Sequence, residues 1–71
     1  MYYIEADKHH EKLSRKDVYL TRGKQYLVQS MQPSFVSKGT MEFMLTNDKG
    51  VTKYHHGSWF KKDLVWKGDQ L

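Results

Sequence analysis

A chain of 71 residues with 38% apolar content and a net charge of +4 is expected to form one small, mildly basic domain over 1–71, because a chain this short buries only about 60% of its unfolded surface. The absence of Cys excludes a disulfide framework and a thiolate zinc site. No apolar run approaches the roughly 20 residues of a membrane-spanning helix, and Met1–Asp7 carries charge where a leader peptide would be apolar, so a cytoplasmic protein without a membrane partner is expected.

In chain order, Tyr2-Tyr3-Ile4 reads as a first strand. Asp7 to Lys16 is a polar loop with one apolar anchor, Leu13. Asp17–Leu20 is predicted as a short strand with Val18 and Leu20 on one face. Thr21-Arg22-Gly23-Lys24 is a turn, and Gln25–Met31 the next strand, with Tyr26 and Val28 sharing a face. Gln32-Pro33-Ser34 ends it, since proline cannot donate to a ladder. Phe35-Val36 lies in a loop that closes at Lys38-Gly39. From Thr40 to Thr46 the pattern alternates: Met41, Phe43 and Leu45 point one way, Glu42 and Met44 the other.

Asn47-Asp48-Lys49-Gly50 is a four-residue hairpin loop, with Gly50 suited to a positive φ. Val51–His55 is its return strand. Gly57-Ser58 turns the chain, 59–63 suits a single 3₁₀ turn, and Leu64-Val65-Trp66 is a last strand. Short strands with turn signals every 8–12 residues predict an all-β fold and suit a small barrel or two packed sheets, of which a five- to six-stranded barrel is the expectation adopted. Its expected core is Val18, Leu20, Tyr26, Val28, Phe43 and Leu45.

The stretch 18–28, with a Gly turn followed by inward residues Tyr26 and Val28, resembles the diverging turn of SH3-like barrels. Asn47–Gly50 is similar to that fold's distal hairpin, and 57–65 to its closing aromatic, 3₁₀ turn and final strand. The resemblance spans 17–66 and implies an SH3-like barrel, of the kind found in small stand-alone phage and prophage proteins. The 7–16 loop is basic and His-rich, whereas peptide-binding SH3 domains carry an acidic loop and a Tyr-rich motif there.

Chemistry-bearing constellations are sparse. His9-His10 and His55-His56 are neighbours on the chain, and adjacent strand residues face opposite ways, so no metal site and no cofactor is expected. Ser58 lies near His56, but no orienting acid adjoins them and no Gly-x-Ser-x-Gly elbow exists. The five glycines stand singly, so there is no phosphate loop. A non-enzymatic binding module is the expectation. A barrel this small cannot bury all its aromatics and methionines. Tyr19, Met44, Tyr54 and Trp66 are therefore the candidate contacts to a protein partner, with 2–6 and 64–66 as short edge strands open to strand addition. The alternative is single-stranded nucleic acid held by Lys53, Lys61, Lys62 and Trp59, against a plainer role for Trp59 or Phe60 in filling the interior. A monomer or weak dimer is expected.

Overall fold

A computed structural model describes residues 1–10, 13 and 18–68. The fold is all-β, with six strands: β1 (Tyr2–Glu5), β2 (Gln25–Leu27), β3 (Ser30–Pro33), β4 (Met41–Thr46), β5 (Thr52–His56) and β6 (Val65–Trp66). They form two three-stranded antiparallel sheets, β2-β1-β6 and β3-β4-β5, instead of the closed barrel expected. β6 is two residues long and pairs with β1 alone among the described strands. β1 is the middle strand of its sheet, so the 2–6 segment is not the free edge that the sequence suggested.

The strand predicted over 25–31 is broken into β2 and β3. Successive amides at the break serve different sheets: Val28 N donates to Tyr2 O at 2.9 Å and Gln29 N to Met44 O at 2.8 Å. Adjacent amides of an extended chain point opposite ways, so one bend lets the same segment finish one sheet and start the other. Met31 consequently lies opposite Phe43 in the register. Pro33 ends β3 on the open edge of its sheet, where a missing N–H costs no ladder bond.

The strand predicted over 17–20 is absent across its described part, 18–20 (Asp17 lies outside the described residues). Tyr19 adopts φ 56°, the left-handed region, which is incompatible with a strand. Its carbonyl is held by Asp48 N at 2.9 Å. The 3₁₀ turn also starts earlier than expected, at Gly57–Trp59, capped by the His56 side chain, which accepts from Ser58 N. The Asn47–Gly50 hairpin forms as read, with Gly50 at φ 84° and Asn47 Oδ1 accepting from the amides of Lys49 and Val51.

Ile4, Ala6, Leu13, Leu20, Tyr26, Phe43, Leu45 and Phe60 make the core between the sheets. Val18 and Val28, expected inside, are half-buried against it. Leu13 is the buried anchor predicted for its loop.

Asp48 ties the hairpin to the 21–26 turn. Its carboxylate accepts from Thr21 Oγ1, from Lys24 Nζ at 2.8 Å and from the Tyr26 hydroxyl at 2.9 Å. Burial pushes this carboxyl up, but the bonds from Lys24, Thr21 and Tyr26 outweigh it and hold it below the ordinary 3.8. Buried His55 is lowered from 6.5, chiefly by desolvation. Its Nδ1 faces Lys53 O at 3.0 Å and its Nε2 faces Asn47 Nδ2 at 3.4 Å. The neutral tautomer protonated on Nδ1 satisfies both contacts.

Both groups bind protons less readily in the folded state, so stability falls as pH falls. The His55 contribution is lost from about 6.5 downward and that of Asp48 below about 3.8. Urea midpoints measured from pH 8 to pH 3 should therefore decline in two stages. Asp48→Asn should flatten the acidic stage, and His55→Gln the one beginning near 6.5. An unchanged profile in both variants would remove these groups from the acid response.

Candidate binding surface

The four residues predicted to contact a protein occupy three separate places. Met44 and Tyr54 are register partners on the face of β4 and β5 opposite Phe43 and Leu45. Both are half-buried, and the Tyr54 hydroxyl is tied to Ser30 Oγ at 3.2 Å. Tyr19 sits at its left-handed bend with Lys49 Nζ 4.8 Å from the ring centroid. Trp66 is 62% exposed and packs edge-on against Tyr2, with centroids 4.7 Å apart. Tyr2 is itself exposed, a feature hidden in the sequence by its strand-like context.

Of the predicted nucleic-acid set, Lys61 and Lys62 lie together in the lining of one groove, and Lys53 and Trp59 lie outside that lining. Trp59 is half-buried against the core, with the His10 ring 5.0 Å away between centroids. Lys61 Nζ is bound to Glu5 Oε2 at 2.8 Å. That bond lowers the Glu5 carboxyl and raises the Lys61 ammonium. Lys53 projects from β5 opposite Leu45, while Lys62 follows the 3₁₀ turn. Of the basic loop residues, Lys8 is exposed; Lys12, Arg15 and Lys16 lie outside the described residues.

Sequence reasoning passed over the most exposed apolar side chains. Phe35 and Val36 are 95% and 88% exposed at the tip of the β3–β4 loop. Ser34 Oγ accepts from the amides of Val36 and Ser37, both at 3.2 Å. Ser34 N donates to Thr40 O at 2.8 Å, and Thr40 N to Ser37 O at 3.1 Å. The loop is thus braced by its own bonds while its apolar tip faces water.

Gly39 and Thr40, at the foot of this loop, form one wall of a groove of about 680 Å³. Met41, Phe43 and Phe60 supply apolar surface, Gly57 and Ser58 line it from the 3₁₀ turn, and Asp7, Lys61 and Lys62 supply the charge. Phe43 and Phe60 meet edge to face, 6.0 Å between centroids. Gly57 makes the wall possible: a Cβ there would stand 2.5 Å from Met41 O, so only glycine lets the turn approach β4 this closely.

Ser58 and His56 adjoin the same groove wall, with Oγ 2.7 Å from Nδ1. Nδ1 also accepts from Ser58 N at 3.2 Å, the bond that caps the 3₁₀ turn. His56 Nε2 is buried without a partner among the described residues. Withdrawing the Ser58 proton would create an imidazolium whose second N–H has no acceptor, which disfavours nucleophilic chemistry. Among the described residues no three His, Cys, Asp or Glu side chains gather as a metal ion requires, and no helix is long and apolar enough to cross a membrane. The chain matches no family model, no curated protein and no solved structure in comparisons with known proteins.

Proposed function

We propose that this chain is a non-enzymatic binding module that engages a protein partner through the Phe35-Val36 tip and the adjoining groove. One observation carries the reading: two large apolar side chains stand almost wholly in water on a loop braced by hydrogen bonds. Exposed apolar surface of this kind marks interaction sites, and bracing reduces the ordering cost of binding. The aromatic surface expected from sequence is thereby relocated from Tyr19, Met44, Tyr54 and Trp66 to the β3–β4 loop.

The SH3-like reading is retained within this proposal. It is supported by a segment shared between two sheets, by the Asn47–Gly50 hairpin, and by a 3₁₀ turn before a last strand that pairs with β1. A phage or prophage setting belongs to the same proposal, resting on size and element order, as does cytoplasmic residence, which the lack of cysteine supports.

A photo-crosslinking residue at position 35 should capture a protein partner that one at position 22, on the Thr21–Lys24 turn, does not. Phe35→Ser should weaken that complex by about 2 kcal/mol, the loss typical of an interface anchor. Its melting temperature should stay close to the parent's, because a side chain this exposed contributes within about 0.5 kcal/mol to folding. Undiminished binding in Phe35→Ser would refute the assignment.

A second reading, single-stranded nucleic acid, is favoured by the exposed Tyr2–Trp66 pair, next to Lys67, whose Nζ lies 4.6 Å from the Tyr3 ring. It predicts affinity for an oligonucleotide that falls steeply with salt and drops on Trp66→Ala.

A further inference from the structure

Asn47 and His55 are the two buried polar side chains among the described residues, at 5% and 7% exposure. Their bonds leave neither a choice of orientation. Asn47 Oδ1 accepts from the amides of Lys49 and Val51, at 3.0 and 3.1 Å. The Nδ2 end is thereby fixed toward His55 Nε2, 3.4 Å away. An amide nitrogen only donates, so Nε2 must accept. On the other side of the ring, Lys53 O is an acceptor for Nδ1–H at 3.0 Å. The pair closes with a neutral imidazole and with no other form.

We infer that this pair is an acid-sensitive latch: a proton on His55 Nε2 opens the Asn47–Gly50 hairpin and frees the 19–26 segment that Asp48 fastens to it. With Nε2 protonated, two donors face each other. Rotating the Asn47 amide would relieve this only by giving up the Lys49 and Val51 amides, which close the turn. In either case a buried polar group loses its partner, a penalty that local opening to water removes. No carboxylate offsets the new charge. Phe43 stands opposite His55 on β4, and Lys53 is the one charged group among the described residues that acts on the ring. In the hairpin, the Asp48 carboxylate is turned to Thr21, Lys24 and Tyr26, and the Lys49 ammonium lies over the Tyr19 ring. Glu42 and His56 are register partners one residue along from Phe43 and His55, so they face the other side of the sheet.

The hairpin and the 19–26 segment are joined through the residue next to Asn47. Asp48 N donates to Tyr19 O at 2.9 Å, and the Asp48 carboxylate holds Thr21 Oγ1, Lys24 Nζ and the Tyr26 hydroxyl. Leu20 lies between Tyr19 and Thr21 and is 5% exposed in the core. Opening the turn moves Asp48, and with it the tethers on both sides of Leu20. The acid form thus uncovers apolar surface at this end of the core. His55 is neutral when latched, so opening takes up a proton and is favoured as pH falls from about 6.5. Asp48 stays ionised until the pH falls below about 3.8, so the two acid responses are separate.

The test is native-state amide exchange followed by NMR between pH 7 and pH 5. Protection factors of the Thr21, Asp48, Lys49 and Val51 amides should lie below those of β1. They should fall by up to about tenfold per pH unit, the slope of one proton taken up per opening. Asn47→Asp keeps an oxygen for the two turn amides and offers a carboxylate to the ring, so the imidazolium becomes the favoured form. In that variant the four protection factors should stay level or rise over the same range. His55→Gln can accept from Asn47 Nδ2 at any pH and should level them too. The long-range ¹H–¹⁵N spectrum of the parent at pH 7 should show the ring protonated on Nδ1.

Level protection factors in the parent, or factors equal to those of β1 at every pH, would mean that His55 takes its proton only on global unfolding, and the latch would be refuted. A ring protonated on Nε2 at pH 7 would refute it as well, as would a fall retained in both variants. If Asn47→Asp does not fold, His55→Gln and the parent's spectrum decide the matter.

Discussion

Phe43→Ala should destabilise the protein by roughly 3–5 kcal/mol, the cost of removing a buried phenylalanine and leaving a cavity. Phe43 is 8% exposed and stands edge-on to Phe60, with an interplanar angle of 84°. It therefore links β4 to the segment that leads into β6. A core this small supplies about 3–5 kcal/mol in total, so the variant should be largely unfolded at room temperature, with collapsed chemical-shift dispersion. Phe43→Leu keeps most of the volume and should remain folded with a lowered urea midpoint. Retention of the parental midpoint by Phe43→Ala would place the ring outside the core.

Gly57→Ala is the second large effect, and its cause is the opposite: an added atom. The new Cβ would meet Met41 O at 2.5 Å and Phe43 Cε2 at 3.3 Å. The ring can give by a few tenths of an ångström, but the carbonyl belongs to β4 and cannot move without disturbing the ladder. A loss of about 1–3 kcal/mol or more is expected from such overpacking. Gly50→Ala provides the contrast. Its φ of 84° is strained for alanine, yet nothing lies within 4 Å of the added atom. Its cost should therefore be conformational and confined to the hairpin. Amide shifts distinguish the two: Gly57→Ala should perturb Met41 and Phe43, and Gly50→Ala should perturb 47–51. A Gly57→Ala variant as stable as the parent would mean that the turn can draw back from β4.

These positions also show where sequence reasoning succeeds and where it fails. Asn47–Gly50 was legible because its turn chemistry is local: a side-chain oxygen caps two nearby amides and a glycine follows. The alternation of Met41, Phe43 and Leu45 was legible because the pleat has a period of two. Tyr19 was not, because its left-handed bend is held by a bond from Asp48, 29 residues away. The break at Val28-Gln29 was hidden for the same reason, since its amides answer to Tyr2 and Met44. Trp66 was rightly read as exposed, but not its pairing with Tyr2, which depends on chain ends meeting. Phe35 and Val36 were assigned to a loop, as observed. Nothing in composition could tell that their side chains would be left in water.

The meeting of those ends has a mechanical consequence. Met1 and Lys67 are joined twice: the terminal ammonium donates to Lys67 O at 3.0 Å, and Lys67 N donates to Met1 O at 2.8 Å. Beyond them, Tyr2 faces Trp66 and Tyr3 faces Val65 in antiparallel register. Tension applied between residues 1 and 67 would act across these strands, at the end where they are already open to solvent. Each bond would carry the load in turn, so the pair should peel apart like a zipper at low force. Tension between residue 1 and the Asn47–Gly50 loop acts along β1 instead and loads its bonds to β2 together. A single-molecule pulling experiment with these two attachment geometries should find the first markedly weaker.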